Sequence, residues 1–169
     1  MSSRLGIAIA ICLVFVVLSV LGATMLRSAL DDPAEIGFGG VEAVTAAAAP
    51  FEGLTETLLA VGDDCLHVVV ADEPEERRDG LRGRTELGPY DAMLFVFPVD
   101  TEADFTMSGV EAPLDVGWYD AAGRPVDRTT MAPCPDGDDC PSYGSSQRYR
   151  YALETGPGAL GGGALGACA

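Results

Sequence analysis

The 169 residues contain no lysine, and histidine occurs once, at His67. Beyond position 30 the chain carries 26 acidic residues against eight arginines. A domain with that balance cannot neutralise a series of phosphates, which excludes charge-driven binding to nucleic acid. Anionic lipid headgroups repel it as well. A single histidine argues against zinc sites built on several imidazoles. In the run LHVVVA, His67 has no evident partner and reads as a packed or surface side chain rather than a catalytic base. No Gly-x-Ser-x-Gly is present for a serine hydrolase. Cys134 and Cys140 do not have the Cys-x-x-Cys spacing of a thiol redox site. Gly37-Phe38-Gly39-Gly40 has no strand before it and fails as a nucleotide loop. No catalytic constellation emerges, and no cofactor or metal is implied.

Long apolar runs are scarce too, with one exception. Leu5 to Leu26 is free of charge and flanked by Arg4 and Arg27. At about 1.5 Å per residue it spans roughly 33 Å as a helix, the thickness of a hydrocarbon core. It is longer than the apolar region of a signal peptide and has poor cleavage sites, so it reads as an uncleaved anchor and the chain's contact with the membrane. The expected organisation is a cytoplasmic tip at 1–4, the anchor at 5–26, an acidic and Ala/Gly-rich tether at 27–53, and a soluble domain at 54–169 outside the cytoplasm. The amine and Arg4 slightly favour that orientation. Four cysteines fall in the soluble part, which allows three pairings. Cys134 and Cys140 bracket a Pro-Asp-Gly-Asp-Asp turn and can meet, leaving Cys65 to pair with Cys168. Two such bonds suit an oxidising exterior and a small domain.

The soluble part alternates apolar runs with turns. Thr55 to Val61 and Cys65 to Ala71 flank Gly62-Asp63-Asp64 and form an expected hairpin. Pro74 at the start of EERRDGLRGR suits the first turn of a short helix over Glu75 to Leu81, with Asp72 as its cap. AMLFVFP reads as a strand buried on both faces. A shorter extended segment runs from Ala103 to Ser108. In PLDVGWYD, Leu114, Val116 and Trp118 alternate with Asp115, Gly117 and Tyr119 as in a half-buried strand, followed by Ala-Ala-Gly and a hairpin partner in PVDRTTM. Arg148 to Glu154 is a further strand. Gly156 to Gly166 is a glycine-rich end with room for only a short helical turn.

In order, the chain carries Arg77, Gly80 and Leu81; Met93 to Phe97; Phe105 and Met107; Pro113 to Asp115; and Asp120. Pro133 and Cys134, Cys140 to Tyr143, and Arg150, Tyr151, Leu153 and Glu154 follow. This succession resembles the family called domain of unknown function 192, also known as uncharacterised protein family 0127, from about Leu58 to the C-terminus. The resemblance implies an α+β fold, a small and mostly-β, barrel-like mixed sheet with one short helix, and a final strand beginning near Cys168. It also exposes departures. Where the family usually reads Phe-Trp-Met-Lys-Asn-Thr, this chain has Phe105, Thr106, Met107, Ser108, Gly109 and Val110. Arg82 replaces the usual Met, and Ala92 the usual Gly.

Two acidic features are candidate sites. Asp136, Asp138 and Asp139 form a cluster without the remaining spacing of an EF-hand, with Gln147 at the twelfth place, and read as a solvated turn. Asp115 is expected to bond to backbone N–H groups or to an arginine such as Arg77 or Arg84. Arg77, Arg78, Arg82 and Arg84 share a segment with Glu75, Glu76 and Asp79, as an ion-paired face would. If the conserved-order stretch holds a ligand, Arg77, Met107 and Asp115 are the side chains to contact it. The expected function is a binding or accessory module of the cell envelope. The alternatives are an envelope enzyme using carboxylates such as Asp91 and Asp115, and a purely structural domain that contacts proteins.

Overall fold

The structure, a computed structural model, describes residues 44–84, 86–135 and 139–169. The anchor read at 5–26, most of the tether, and Asp136 and Asp138 lie outside the described residues. Among the described residues no helix is long and apolar enough to cross a membrane.

Among the described residues, ten strands and one helix follow in order: β1 (Thr45–Ala46), β2 (Thr55–Val61), β3 (Asp64–Ala71), α1 (Pro74–Asp79), β4 (Ala92–Thr101), β5 (Phe105–Thr106), β6 (Leu114–Tyr119), β7 (Pro125–Met131), β8 (Ser142–Tyr143), β9 (Tyr149–Thr155) and β10 (Leu165–Gly166). The main sheet runs β1-β2-β3-β4-β9-β6-β7, with β10 also paired to β2. β3 and β4 are parallel, and the other pairs in this sheet are antiparallel. β5 and β8 make a separate two-stranded ribbon.

The parallel pair sits at the centre of the strand order, and its sequences show it: VVVA and AMLF are continuous apolar runs, as strands covered on both faces require. Alternation divides their side chains between two cores. Val69, Ala71, Met93 and Phe95 face one side, with Leu114, Val116 and Trp118 of β6. Val68, Val70, Ala92 and Leu94 face the other, with Leu59, Tyr151 and Leu153. Tyr119 belongs to this second core and Gly117 is buried beside it, so β6 is covered on both faces rather than half-buried.

The first face is roofed by α1, the loop after it, and the β5–β8 ribbon. α1 ends at Gly80, whose φ of 47° is a left-handed value that glycine tolerates. A Cβ there would meet the Phe95 ring at 3.4 Å, so glycine also lets the helix end lie close on β4. Asp72 is not the cap: Glu73 holds that position, and the Glu76 carboxylate accepts from the N–H of both Asp72 and Glu73 at 3.1 Å. Glu76, one turn in, can reach back to these N–H groups.

The second face is closed by the chain from 156 to 166. No helical turn forms there; β10 pairs with β2, and Leu165 N–H donates to Gly123 O at 2.8 Å, in the β6–β7 turn. This strap bridges the two ends of a sheet that stays open. Strands β2 and β7 do not pair among the described residues, and β10 is two residues long, too short to seal the seam into the barrel the resemblance implied. The last described strand, β10, is Leu165–Gly166, just before Cys168.

Residues 44–53, assigned by sequence to the tether, pack on the domain: β1 pairs with β2 and Phe51 is wholly buried. Both expected disulfides are present, Cys65–Cys168 and Cys134–Cys140, with S–S distances of 2.03 and 2.08 Å. The first fastens the strap's end to the start of β3.

Candidate functional site

The register across the sheet places one acid among apolar side chains. Val69 opposes Met93, Met93 opposes Glu154, and Glu154 opposes Val116. Residues opposite one another point to the same face, so Glu154 stands within the row Val69, Met93, Val116, all three fully buried. Glu154 itself is 5% exposed and has no hydrogen-bond or ion-pair partner among the described residues. Burial alone pushes its carboxyl up to about 8. At neutral pH it is therefore a carboxylic acid rather than a carboxylate, since desolvation penalises the charged form.

Glu154 lines a cleft of about 320 Å³ between α1 with its following turn and the segment leading through β5. That volume lies at the small end of ligand pockets, roughly 300–1,000 Å³. The walls are apolar: Leu81, Phe95, Phe97, Phe105, Met107 and Val110. Phe95 and Phe105 meet edge to face at 5.1 Å, which fixes the two rings against each other. Arg77, Arg78 and Arg82 also line the cleft, three of the eight arginines beyond position 30, together with Asp79 and Asp104.

These charges differ in how far they are committed. Arg77 donates to Val96 O at 2.8 Å and to Asp72 O, and its guanidinium lies over the Phe97 ring at 5.3 Å. It is a strut between α1 and β4. Asp104 accepts from Ser142 Oγ at 2.8 Å. Arg78 reaches Glu75 only at 4.0 Å, with both side chains exposed, an ion pair worth little. Arg82 has no side-chain partner among the described residues. Two exposed arginines of the cleft wall, Arg78 and Arg82, thus remain available.

Of the three ligand candidates read from sequence, Arg77 and Met107 line this cleft and Asp115 does not. Asp115 accepts from Thr130 Oγ1 at 2.6 Å and from Gly158 N–H at 2.7 Å, so its partners are a hydroxyl and the strap's backbone, not Arg77 or Arg84. Arg84 instead donates to Pro50 O and lies over the Phe51 ring at 4.2 Å. Asp91 is occupied as well, accepting His67 N–H at 2.8 Å. His67 has partners that the sequence did not reveal: its Nε2 lies 3.5 Å from Glu56 and its ring 4.7 Å from that of Tyr90. The Tyr90 hydroxyl donates to Glu56, which holds that carboxyl below its usual range, and accepts from Ala48 N–H at 2.6 Å. This cluster pins the chain before β2 to the domain.

The departures around Met107 have a structural counterpart. Gly109 has φ of 74°, donates to Cys134 O at 3.0 Å and accepts from Gly83 N–H at 2.9 Å. It knits the roof to the disulfide loop on one side and to the turn carrying Arg82 on the other.

A second cleft, of about 340 Å³, lies by the strap among Tyr119, Leu160 and the glycines 161–163. Its acid is committed, since Asp127 accepts from Ser146 N–H at 2.8 Å and Arg128 N–H at 2.9 Å. Tyr119 is pushed up to about 12 by burial and stays neutral. An unpartnered buried acid distinguishes the first cleft.

Sequence reasoning met Glu154 only as the last residue of a motif. The signal was an acid in phase with Ala152, on the inward side of the apolar strand YALE.

A family model described as DUF192, Uncharacterized ACR, matches residues 57–163. A protein of unknown function from Novosphingobium aromaticivorans has a similar fold, with a TM-score of 0.57 and 21% identity over 75% of this chain and 89% of its own. A protein from Sinorhizobium meliloti described as a candidate transcription regulator matches with a TM-score of 0.54 and 22% identity, over 73% and 95%. No curated protein matches the chain.

Proposed function

Because the chain belongs to the DUF192 family, whose description assigns no activity, we propose from its own cleft that it is a membrane-anchored extracytoplasmic module that binds a small molecule over Glu154. The observation that carries the reading is the unpartnered acid in an apolar row, opening into a cleft of ligand size. A buried polar group without a partner costs about 1–3 kcal/mol, a cost that a ligand hydrogen bond would offset. The anchor at Leu5 to Leu26 holds the domain to the membrane. The two disulfides support a location outside the cytoplasm.

Catalysis by paired carboxylates is disfavoured, since Asp91 and Asp115 are bonded to backbone N–H groups and neither lines the cleft. The regulator description of the Sinorhizobium protein does not carry over: the acidic excess of this chain opposes contact with DNA.

The test is a small-molecule thermal-shift screen on the full chain in detergent. Stabilising hits are expected, and Glu154→Leu should abolish their shifts while keeping the fold. Silence across the library, or hits indifferent to that substitution, would contradict the reading.

A further inference from the structure

The cleft also restricts the chemistry of its occupant, an inference that rests on the binding-module reading. We propose that the ligand is a small organic monoanion with an apolar body and a hydroxyl or carbonyl at its far end. Its carboxylate meets Arg78 and Arg82, its body lies against Phe95, Phe105 and Met107, and its far oxygen accepts a hydrogen bond from the Glu154 carboxyl.

Three observations converge on this. Arginines are concentrated at the cleft of an otherwise strongly acidic domain, and two of them lack a committed partner. The acids there, Asp79 and Asp104, the latter accepting from Ser142 Oγ, stand against three arginines, Arg77, Arg78 and Arg82. A cationic ligand would have to pass these guanidiniums, whereas an anion is drawn in by them. At the floor, an acid in an apolar row has, while it stays protonated, an O–H donor that a ligand oxygen would satisfy. Packed around it, β4 and β6 offer the uncharged Met93 and Val116. The charged groups facing the same cleft are Arg77, Arg78, Asp79 and Arg82 from α1 and its turn, and Asp104 from the segment before β5.

Calorimetric titration of the full chain in detergent with three probes tests this. 4-Hydroxyphenylacetate carries both groups, phenylacetate lacks the far hydroxyl, and tyramine replaces the carboxylate by an ammonium. The first should bind, the second about tenfold more weakly for the lost hydrogen bond, and the third not at all. Arg82→Ala should weaken 4-hydroxyphenylacetate about tenfold, as loss of a charge-assisted bond does. Affinity should fall above about pH 8, by up to about the same tenfold, as Glu154 ionises and ceases to donate. Glu154→Gln, which still donates, should bind at pH 7 and lose that dependence. Tighter binding of tyramine, equal binding of phenylacetate, or a pH dependence that survives in Glu154→Gln would overturn the inference. Silence from all three probes would also overturn it. The binding-module reading would stand as long as other compounds in the thermal-shift screen gave shifts dependent on Glu154.

Discussion

Glu154 ties the stability of the fold to pH. An acid whose carboxyl sits near 8 in the folded chain and near 4.5 when exposed binds its proton more tightly in the native state. Its stabilising contribution is therefore complete below about pH 4.5, declines between there and about pH 8, and is lost above that range. The slope through the window is about 1 kcal/mol per pH unit, close to one proton's worth. Groups held low, such as Asp120, where burial pushes the carboxyl up but the hydrogen bonds from Arg124 and Ala122 and the Arg124 charge together outweigh it, act in the opposite sense and in more acidic solution. Urea denaturation at pH 5.5 and 8.5 should show the wild-type chain losing stability on the alkaline side, with Glu154→Gln losing much less. Equal losses in the two would show that Glu154 has an ordinary carboxyl. The sequence put this residue at the end of a strand, but it could not show that the side chain turns inward or that no arginine reaches it. That depends on where α1 lies over the sheet.

At the level of elements, the strap from 156 to 166 depends on close backbone approach. A Cβ at Gly163, where φ is 139°, would fall 2.5 Å from Gly62 Cα. Gly163→Ala should cost about 1–3 kcal/mol through overpacking against backbone and should speed amide exchange at Leu165, readable by denaturation and hydrogen exchange. Wild-type stability would mean that the strap is not seated on the β2–β3 turn. Asp115→Ala removes the bonds to Thr130 and Gly158 and should cost about 1–3 kcal/mol. The strands were legible because apolar runs and turn residues report burial locally. The short helix between β3 and β4 was equally plain, since Pro74 and the following glycines punctuate it, but the parallel pairing of the two strands it joins was not. The strap was not: glycines mark where chain can approach chain, but not which chain it approaches. For the same reason sequence left Asp115 a choice of partners, and the structure filled it with the strap's N–H.

Across the whole molecule, two constraints of unequal size hold the open sheet. Cys65–Cys168 closes a sequence separation of 103 residues and Cys134–Cys140 one of 6. In the chain-entropy model the first contributes about 4–5 kcal/mol and the second appreciably less. Replacing both Cys65 and Cys168 by Ser should lower the urea midpoint far more than replacing Cys134 and Cys140. A reversed order would place the main constraint at the roof rather than the strap. The pairing itself was readable from spacing, whereas the open sheet was not, because closure depends on the length of β10. The domain's acidic excess and its few arginines could be counted in the sequence, but which of them line one cleft is a property of the fold.

The most direct measurement is a carbon-13 NMR titration of side-chain carboxyls in glutamate-labelled protein, with Glu154→Gln identifying the resonance. The account predicts one glutamate titrating near 8, displaced further when a ligand occupies the cleft. A Glu154 resonance titrating near 4.5 and indifferent to every ligand would contradict the claim that an unpartnered acid waits at the floor of a binding site.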